Sequence, residues 1–205
     1  MHTSIKRYTT TERSNHWIVA IVFILAALSG LALFHPAFFF FVHLFGGGPW
    51  ARILHPFIGV VMFVFFAVLT AGFWRLNRIT PADRQWSKRM VDVMRNRDNN
   101  LPEPGKYNAG QKYLFWLMVA SILLLLISGM AIWQPWFAPF LPVGLQRVAV
   151  VVHALAAWII ILGIIVHIYA AIWVKGTLRA MTRGTVSGAW AKHHHRAWYR
   201  EMTGK

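Results

Sequence analysis

Cysteine is absent from this chain. With no thiolate to offer, the chain by itself holds no iron–sulfur cluster and no thiolate-ligated haem. The redox compartment is left open. Acidic residues are also scarce: six occur in 205 residues, against 21 Lys and Arg. All six (Glu12, Asp83, Asp92, Asp98, Glu103 and Glu201) fall outside the long apolar runs. Proton pumps and ion-coupled carriers depend on intramembrane carboxylates or an equivalent relay. Their absence here points to movement of electrons, with any proton uptake at a surface site. Polar, pore-lining spans and paired broken spans, the marks of a solute carrier, are missing as well.

What is present is apolar. Hydrophobic residues make up 57% of the chain, and four stretches carry no Asp, Glu, Lys or Arg: Trp17–Phe34, Ile53–Trp74, Tyr113–Trp133 and Val148–Val174. Each meets the roughly 20 residues needed to span a bilayer, allowing for tilt. In lipid they must be helical, because every backbone group needs an internal hydrogen bond. The predicted fold is all-α, one membrane domain (1–205) built as a four-helix bundle. The first run resembles the apolar core of a signal peptide, but no small-residue cleavage site follows, so it is expected to be retained.

Nineteen of the 21 basic residues lie before the first span, between Arg75 and Lys112, or after the fourth span; only Arg52 and Arg147 lie on the other side. The positive-inside rule then places both termini, the 75–112 loop and the 175–205 tail in the cytoplasm. The net charge of +15 is thereby a membrane feature. It predicts contact with anionic lipid rather than nucleic acid. Within the cytoplasmic loop, "QWSKRMVDVM" places Trp86, Met90 and Val93 on one helical face, the pattern of a helix lying on the membrane surface. Trp190, Trp198 and Tyr199 of the tail are expected at the headgroups. The outer loop "HPAFFFFVHLFGGGPWAR" is expected at the interface or against a partner. A short echo joins the spans: "LSGLALFHP" ends the first and "ISGMAIWQP" the third. It fits either duplication of a two-helix unit or close packing through small residues.

The charge-free run "VVHALAAWIIILGIIVHIYAAIWV" contains two histidines, His153 and His167. Fourteen residues of helix separate them by about 21 Å along the axis and about 40° around it, so both rings share one side. Imidazoles at membrane depth are costly and call for a partner. Of the ten histidines, His16 just precedes the first span and His55 opens the second, with Pro56 beside it at an expected first-turn position. The depths match in pairs: His55 with His153 on the outer side, His16 with His167 on the cytoplasmic side. Two such pairs in an apolar bundle fit two six-coordinate b-type haems held between helices. Zinc fits poorly, since two imidazoles at each level leave a tetrahedral site incomplete. His35 and His43 of the outer loop are alternatives to His55. The His193–His195 run is expected to contact headgroups. Arg52 and Arg147 are candidates for haem propionates or for ordinary headgroup contact.

The motifs "SNHW", "RILHPF", "GKYNAGQK", "WVKG" and "WAKHHHRAWYRE", with the His153/His167 pair, closely resemble the cytochrome b (gamma) subunit of membrane-bound respiratory formate dehydrogenase, over about Tyr8 to Glu201. The ligand spacing is shared with cytochrome b subunits of nickel–iron hydrogenases and thiosulfate reductases, the alternative assignment. The resemblance implies haem ligands at His16, His55, His153 and His167. It also implies a quinone site (menaquinone or ubiquinone) on the cytoplasmic side, with Asn108 and the His167 region at the head group. Its implied partners are an outer-side iron–sulfur beta subunit and a molybdenum or tungsten catalytic alpha subunit. The family assembles as trimers of heterotrimers in the bacterial inner membrane. On this resemblance the chain contributes quinone reduction rather than formate oxidation.

Overall fold

The computed structural model describes residues 4–89 and 102–204. Four long helices dominate: α1 (Thr10–Phe34), α2 (Gly48–Phe73), α4 (Ala109–Ile132) and α5 (Val143–Trp173), with the short α3 (Pro81–Lys88) between the second and third of them. Each of the four is long and apolar enough to cross a membrane. Every one starts several residues before its charge-free run, and for α1 and α4 capping bonds mark the start. The Glu12 amide donates to Thr9 Oγ1 at 3.2 Å, and the Thr9 amide donates back to Glu12 Oε2 at 2.6 Å. Asn108 and Gln111 exchange the same pair of bonds ahead of α4, at 2.9 and 3.0 Å, and Thr80 and Asp83 do so ahead of α3. These reciprocal bonds satisfy amides that the first helical turn leaves unpaired.

An earlier start also corrects one reading. Because α2 begins at Gly48, Pro56 lies in the helix interior and not in its first turn. There it removes one i→i−4 hydrogen bond beside His55.

The described chain divides into two compact units. The first comprises Ser14–Ala71 and Leu117–Val166. Its core is formed by Met62, Phe66, Ile122 and Ile160, with Val19, Phe23, Phe63 and Met118 packed around them. Large apolar side chains such as Ile24, Val68, Ile127 and Leu162 face outward, while Ser29, Ala32, Ala51, Ser128 and Ala156 are buried. Lipid gives no hydrophobic reason to bury leucine, so small residues take the contacts where helices approach. Between α1 and α2, Pro36–Phe45 forms a 3₁₀ segment. His35 caps it by accepting from the Ala37 amide, and Gly46 ends it at φ 85°. Val42 is buried with Phe41 and Phe45 beside it, whereas Phe39, Phe40 and Leu44 are exposed.

The second unit comprises the described residues up to Arg13, Gly72–Trp116 and the chain from His167 on. Here the structure adds something an all-α prediction lacks. Strand β1 (Ser4–Lys6) pairs antiparallel with β2 (Thr185–Ser187), bringing Ile5 opposite Val186. Around this ribbon fold α6 (Thr177–Arg183), α7 (Gly188–His194) and α8 (Arg196–Thr203). Ile5, Ala180, Val186, Ala191 and Trp198 form their common core. The expectation that the tail's aromatic residues lie at headgroups is therefore corrected. Trp198 is buried, and Trp190 and Tyr199 pack against the same core.

Arg7 organises this unit. The residue is 5% exposed, and its guanidinium carbon lies 4.9–5.8 Å from the ring centres of Trp198, Trp190, Tyr8 and Tyr107. Nη2 donates to the Lys106 carbonyl at 2.6 Å. His195 joins it, accepting from Nη2 through Nε2 at 3.3 Å and donating from Nδ1 to the Gly105 carbonyl at 2.8 Å. Burial, and next the neighbouring Arg7 cation, lower the His195 pKa to about 4. The His195 ring is thus a neutral core group, which corrects its expected headgroup role. His193 stays exposed. In α3, burial works against the Asp83 carboxylate, but bonds from Lys112 and Thr80 outweigh it and hold the pKa below the usual range. Trp86 belongs to α3; Met90 and Val93 of the expected surface helix lie outside the described residues.

Candidate functional site

The first unit contains a cavity of about 770 Å³, which is in the range of cofactor sites. Phe23, Val60, Phe63, Leu126, Trp133 and Trp158 contribute to its apolar lining, and His55 and His153 supply its imidazoles. The ring centres of His55 and His153 are 6.2 Å apart and their planes cross at 79°. Two imidazoles bound through nitrogen at about 2 Å to one metal ion have ring centres roughly 6 Å apart. The spacing therefore matches a pair of axial ligands on a single iron. Among the described residues no group of three or more His, Cys, Asp or Glu could hold a metal ion. A bis-imidazole haem is the metal centre that needs only these two side chains.

Each ring is held from behind by a serine on the preceding long helix. Ser29 of α1 contacts His55 Nδ1 at 2.8 Å, and Ser128 of α4 contacts His153 Nδ1 at 3.0 Å. Ser29 Oγ is also 2.9 Å from the Leu25 carbonyl, and Ser128 Oγ is 2.5 Å from the Leu124 carbonyl. The hydroxyl hydrogen goes to the carbonyl, which can only accept, so each imidazole must donate its Nδ1–H to the serine. That fixes the tautomer and leaves Nε2 with the lone pair a metal requires.

A glycine follows each serine. A Cβ on Gly30 would sit 3.1 Å from His55 Cε1, and one on Gly129 would sit 3.2 Å from His153 Cε1. Both glycines leave the room that the imidazole occupies. The Ser-Gly echo thus has a local function in both halves: serine orients a ring and glycine admits it. The echo therefore carries more than a trace of duplication or of close packing. The usable signal was that each Ser-Gly lies on the span preceding a histidine-bearing helix.

His35 is an exposed cap and His43 is exposed, while His55 is the one brought to His153. Arg52 lines the cavity and is exposed, as a propionate partner would be. Arg147 is not among the lining residues. His16 lies on α1 with its ring 5.5 Å from Trp17, while the neighbouring Asn15 donates to the Phe65 carbonyl. His167 is half-buried on α5. His16 belongs to the first unit and His167 to the second.

Asn108 lines a small polar cavity of about 70 Å³ in the second unit, with Asp83, Trp86, Tyr107 and Lys112. The Oδ1 atom of Asn108 is committed to the α4 cap. Any ligand of this side chain would meet Nδ2, a hydrogen-bond donor.

Comparison with known proteins agrees with this chemistry. A family model described as prokaryotic cytochrome b561 matches residues 7–184. The chain is 47% identical to the formate dehydrogenase cytochrome b556(fdo) subunit of Escherichia coli (strain K12), covering 97% of this chain and 93% of that one. It is 40% identical to the nitrate-inducible formate dehydrogenase cytochrome b556(Fdn) subunit of the same strain, covering 97% and 91%. It is 37% identical to the formate dehydrogenase cytochrome b556 subunit of Haemophilus influenzae, covering 97% and 84%.

Proposed function

The chain belongs to the prokaryotic cytochrome b561 family, and from that premise we propose that it is the membrane cytochrome b subunit of a formate dehydrogenase complex. In this reading it anchors the complex in the bacterial inner membrane. It carries electrons from an outer-side iron–sulfur subunit, itself fed by a molybdenum or tungsten catalytic subunit, to menaquinone or ubiquinone at the cytoplasmic side. Both termini lie in the cytoplasm, as the distribution of basic residues requires.

The observation that carries the reading is the His55/His153 pair: two imidazoles at axial-ligand spacing, their Nδ1 atoms already bonded, in an apolar cavity. A b haem bound there supplies a one-electron redox centre buried from water. His55 and His153 hold it, and Arg52, which lines the cavity and is exposed, is the candidate partner of a propionate. His16 and His167 hold a second haem at the cytoplasmic level, an assignment supported by family resemblance and the depth match along α5. Asn108 presents its Nδ2 donor to a quinone carbonyl beside the polar side chains of Asp83 and Lys112.

The direction of transfer decides the energetics. Electrons moving inward work against the membrane potential at about 2.3 kcal/mol per charge per 100 mV. Two electrons at ~150 mV cost roughly 7 kcal/mol, so the donor must be strongly reducing. Formate meets that requirement. With protons taken from the cytoplasm, the reaction charges the membrane.

Pyridine haemochrome analysis of the purified chain tests the reading. Two b haems per polypeptide are expected, falling to one in His55→Ala or His153→Ala. A wild-type stoichiometry near one would remove the two-level arrangement, and a colourless protein would remove the function.

A further inference from the structure

We propose that Ser29 and Ser128 clamp the imidazoles of His55 and His153 in crossed planes, giving the iron between them a highly anisotropic low-spin electronic structure. This rests on the reading of those histidines as axial ligands. The planes cross at 79°.

A histidine ring on a helix keeps one freedom once its Cα–Cβ bond is placed: it turns about Cβ–Cγ, a broad and soft torsion. A hydrogen bond at Nδ1 removes that freedom, because it fixes a second point on the ring. Each ring here has such a bond, at 2.8 Å for His55 and 3.0 Å for His153. The clamping atoms are themselves immobile. Ser29 is 0% exposed and Ser128 4%, and both hydroxyls are anchored to carbonyls of their own helices. Gly30 and Gly129 pack directly against the Cε1 edges, so each ring is bounded on a second side by helix backbone. Both rings are therefore set by the protein's own hydrogen bonds and backbone.

Ring orientation matters because imidazole donates π density into the iron d orbital perpendicular to its own plane. Parallel rings raise one of the two orbitals and split the pair. Crossed rings raise both equally and leave them nearly degenerate. In the low-spin ferric state a small splitting produces a large g anisotropy, seen as one isolated low-field resonance. A large splitting produces the ordinary three-line rhombic spectrum. The orientation also governs how the macrocycle is distorted, one of the protein's levers on a haem.

The arrangement is doubled. Ser29 on α1 serves a ligand on α2, and Ser128 on α4 serves a ligand on α5, each serine followed by its glycine. Neither serine needs to touch the iron; both act through another residue and are positioning residues. Their contribution is electronic as well as steric, so it has a spectroscopic signature that loss of packing alone would not give.

The test is electron paramagnetic resonance of the oxidised complex in detergent, with the resonance of this site identified by its disappearance in His55→Ala. The wild-type resonance is expected to be of the isolated low-field type. Ser29→Ala and Ser128→Ala each remove the serine bond from one ring and should move the resonance toward the rhombic type, with both haems still bound. Ser29→Thr and Ser128→Thr keep the hydroxyl and should retain the wild-type resonance. A rhombic wild-type signal at this site would overturn the crossed geometry, even if the alanine variants lost haem. Alanine variants with haem bound and an unshifted resonance would overturn the clamp. Full haem content in His55→Ala would instead refute the ligand assignment.

Discussion

Asn108 has two tasks in this account, and they separate cleanly by substitution. Its Oδ1 accepts from the Gln111 amide at 2.9 Å and caps α4, which leaves Nδ2 outside the cap for the proposed quinone contact. Asn108→Ala removes both. Loss of an N-cap costs about 1 kcal/mol, so a fall in activity of that variant mixes stability with recognition. Asn108→Asp keeps the capping oxygen, and a negative charge at a helix N-terminus adds roughly 0.3–1 kcal/mol of stability. It replaces the Nδ2 donor with an acceptor facing an acceptor. Loss of one neutral hydrogen bond is worth about 0.5–1.5 kcal/mol, and an unpaired polar atom in its place costs more. Affinity for a quinone-analogue inhibitor should therefore fall by about tenfold or more in Asn108→Asp. Thermal stability and haem content should match or exceed wild type. The assay is inhibitor titration of the haem spectrum, alongside quinone-reductase turnover. Normal inhibitor affinity and turnover in Asn108→Asp would remove Asn108 from the quinone site and leave it a helix cap.

Three further outcomes are expected. His16→Ala and His167→Ala should leave the haem of the His55/His153 pair reducible by the donor while quinone reduction stops; donor-reduced minus oxidised spectra check this, and total loss of donor reduction would reverse the assigned orientation. Gly30→Ala or Gly129→Ala should lower haem content, because the new Cβ lies 3.1 or 3.2 Å from an imidazole carbon, although Ala in a helix is about 1 kcal/mol better than Gly; haemochrome assay against protein concentration measures it. His195 has a folded pKa of about 4 against 6.5 when unfolded, so the unfolded chain binds more protons between those values and stability falls as pH drops through that window. The loss reaches on the order of 3 kcal/mol at pH 4. Hydrogen exchange of the β1 and β2 amides at pH 7 and pH 5 should show it, and His195→Asn should flatten the dependence.

The four long apolar helices were legible in the sequence, though the β1–β2 ribbon was not, because lipid enforces a simple rule: an uncharged run of sufficient length must be helical. The same rule made His153 and His167 conspicuous, since a polar ring in hydrocarbon needs a partner, and helical rise alone sets their separation. What the charge pattern blurred was where helices begin. Capping pairs such as Thr9 with Glu12 and Asn108 with Gln111 decide that locally for α1 and α4, and in α2 the start at Gly48 puts Pro56 in the helix interior and not in a first turn.

Only tertiary structure could decide what depends on residues far apart in the chain. It brought His55, and not His35 or His43, to within 6.2 Å of His153, a ring spacing that sequence spacing does not reveal. It set His195 beside Arg7 and drew the C-terminal tail into a core with the first strand, an outcome that the tail's basic composition hides. It also showed that each Ser-Gly pair faces an imidazole on the next helix. Composition and periodicity describe one helix at a time, whereas a hydrogen bond of 2.8 Å across 26 residues exists only once two helices are packed.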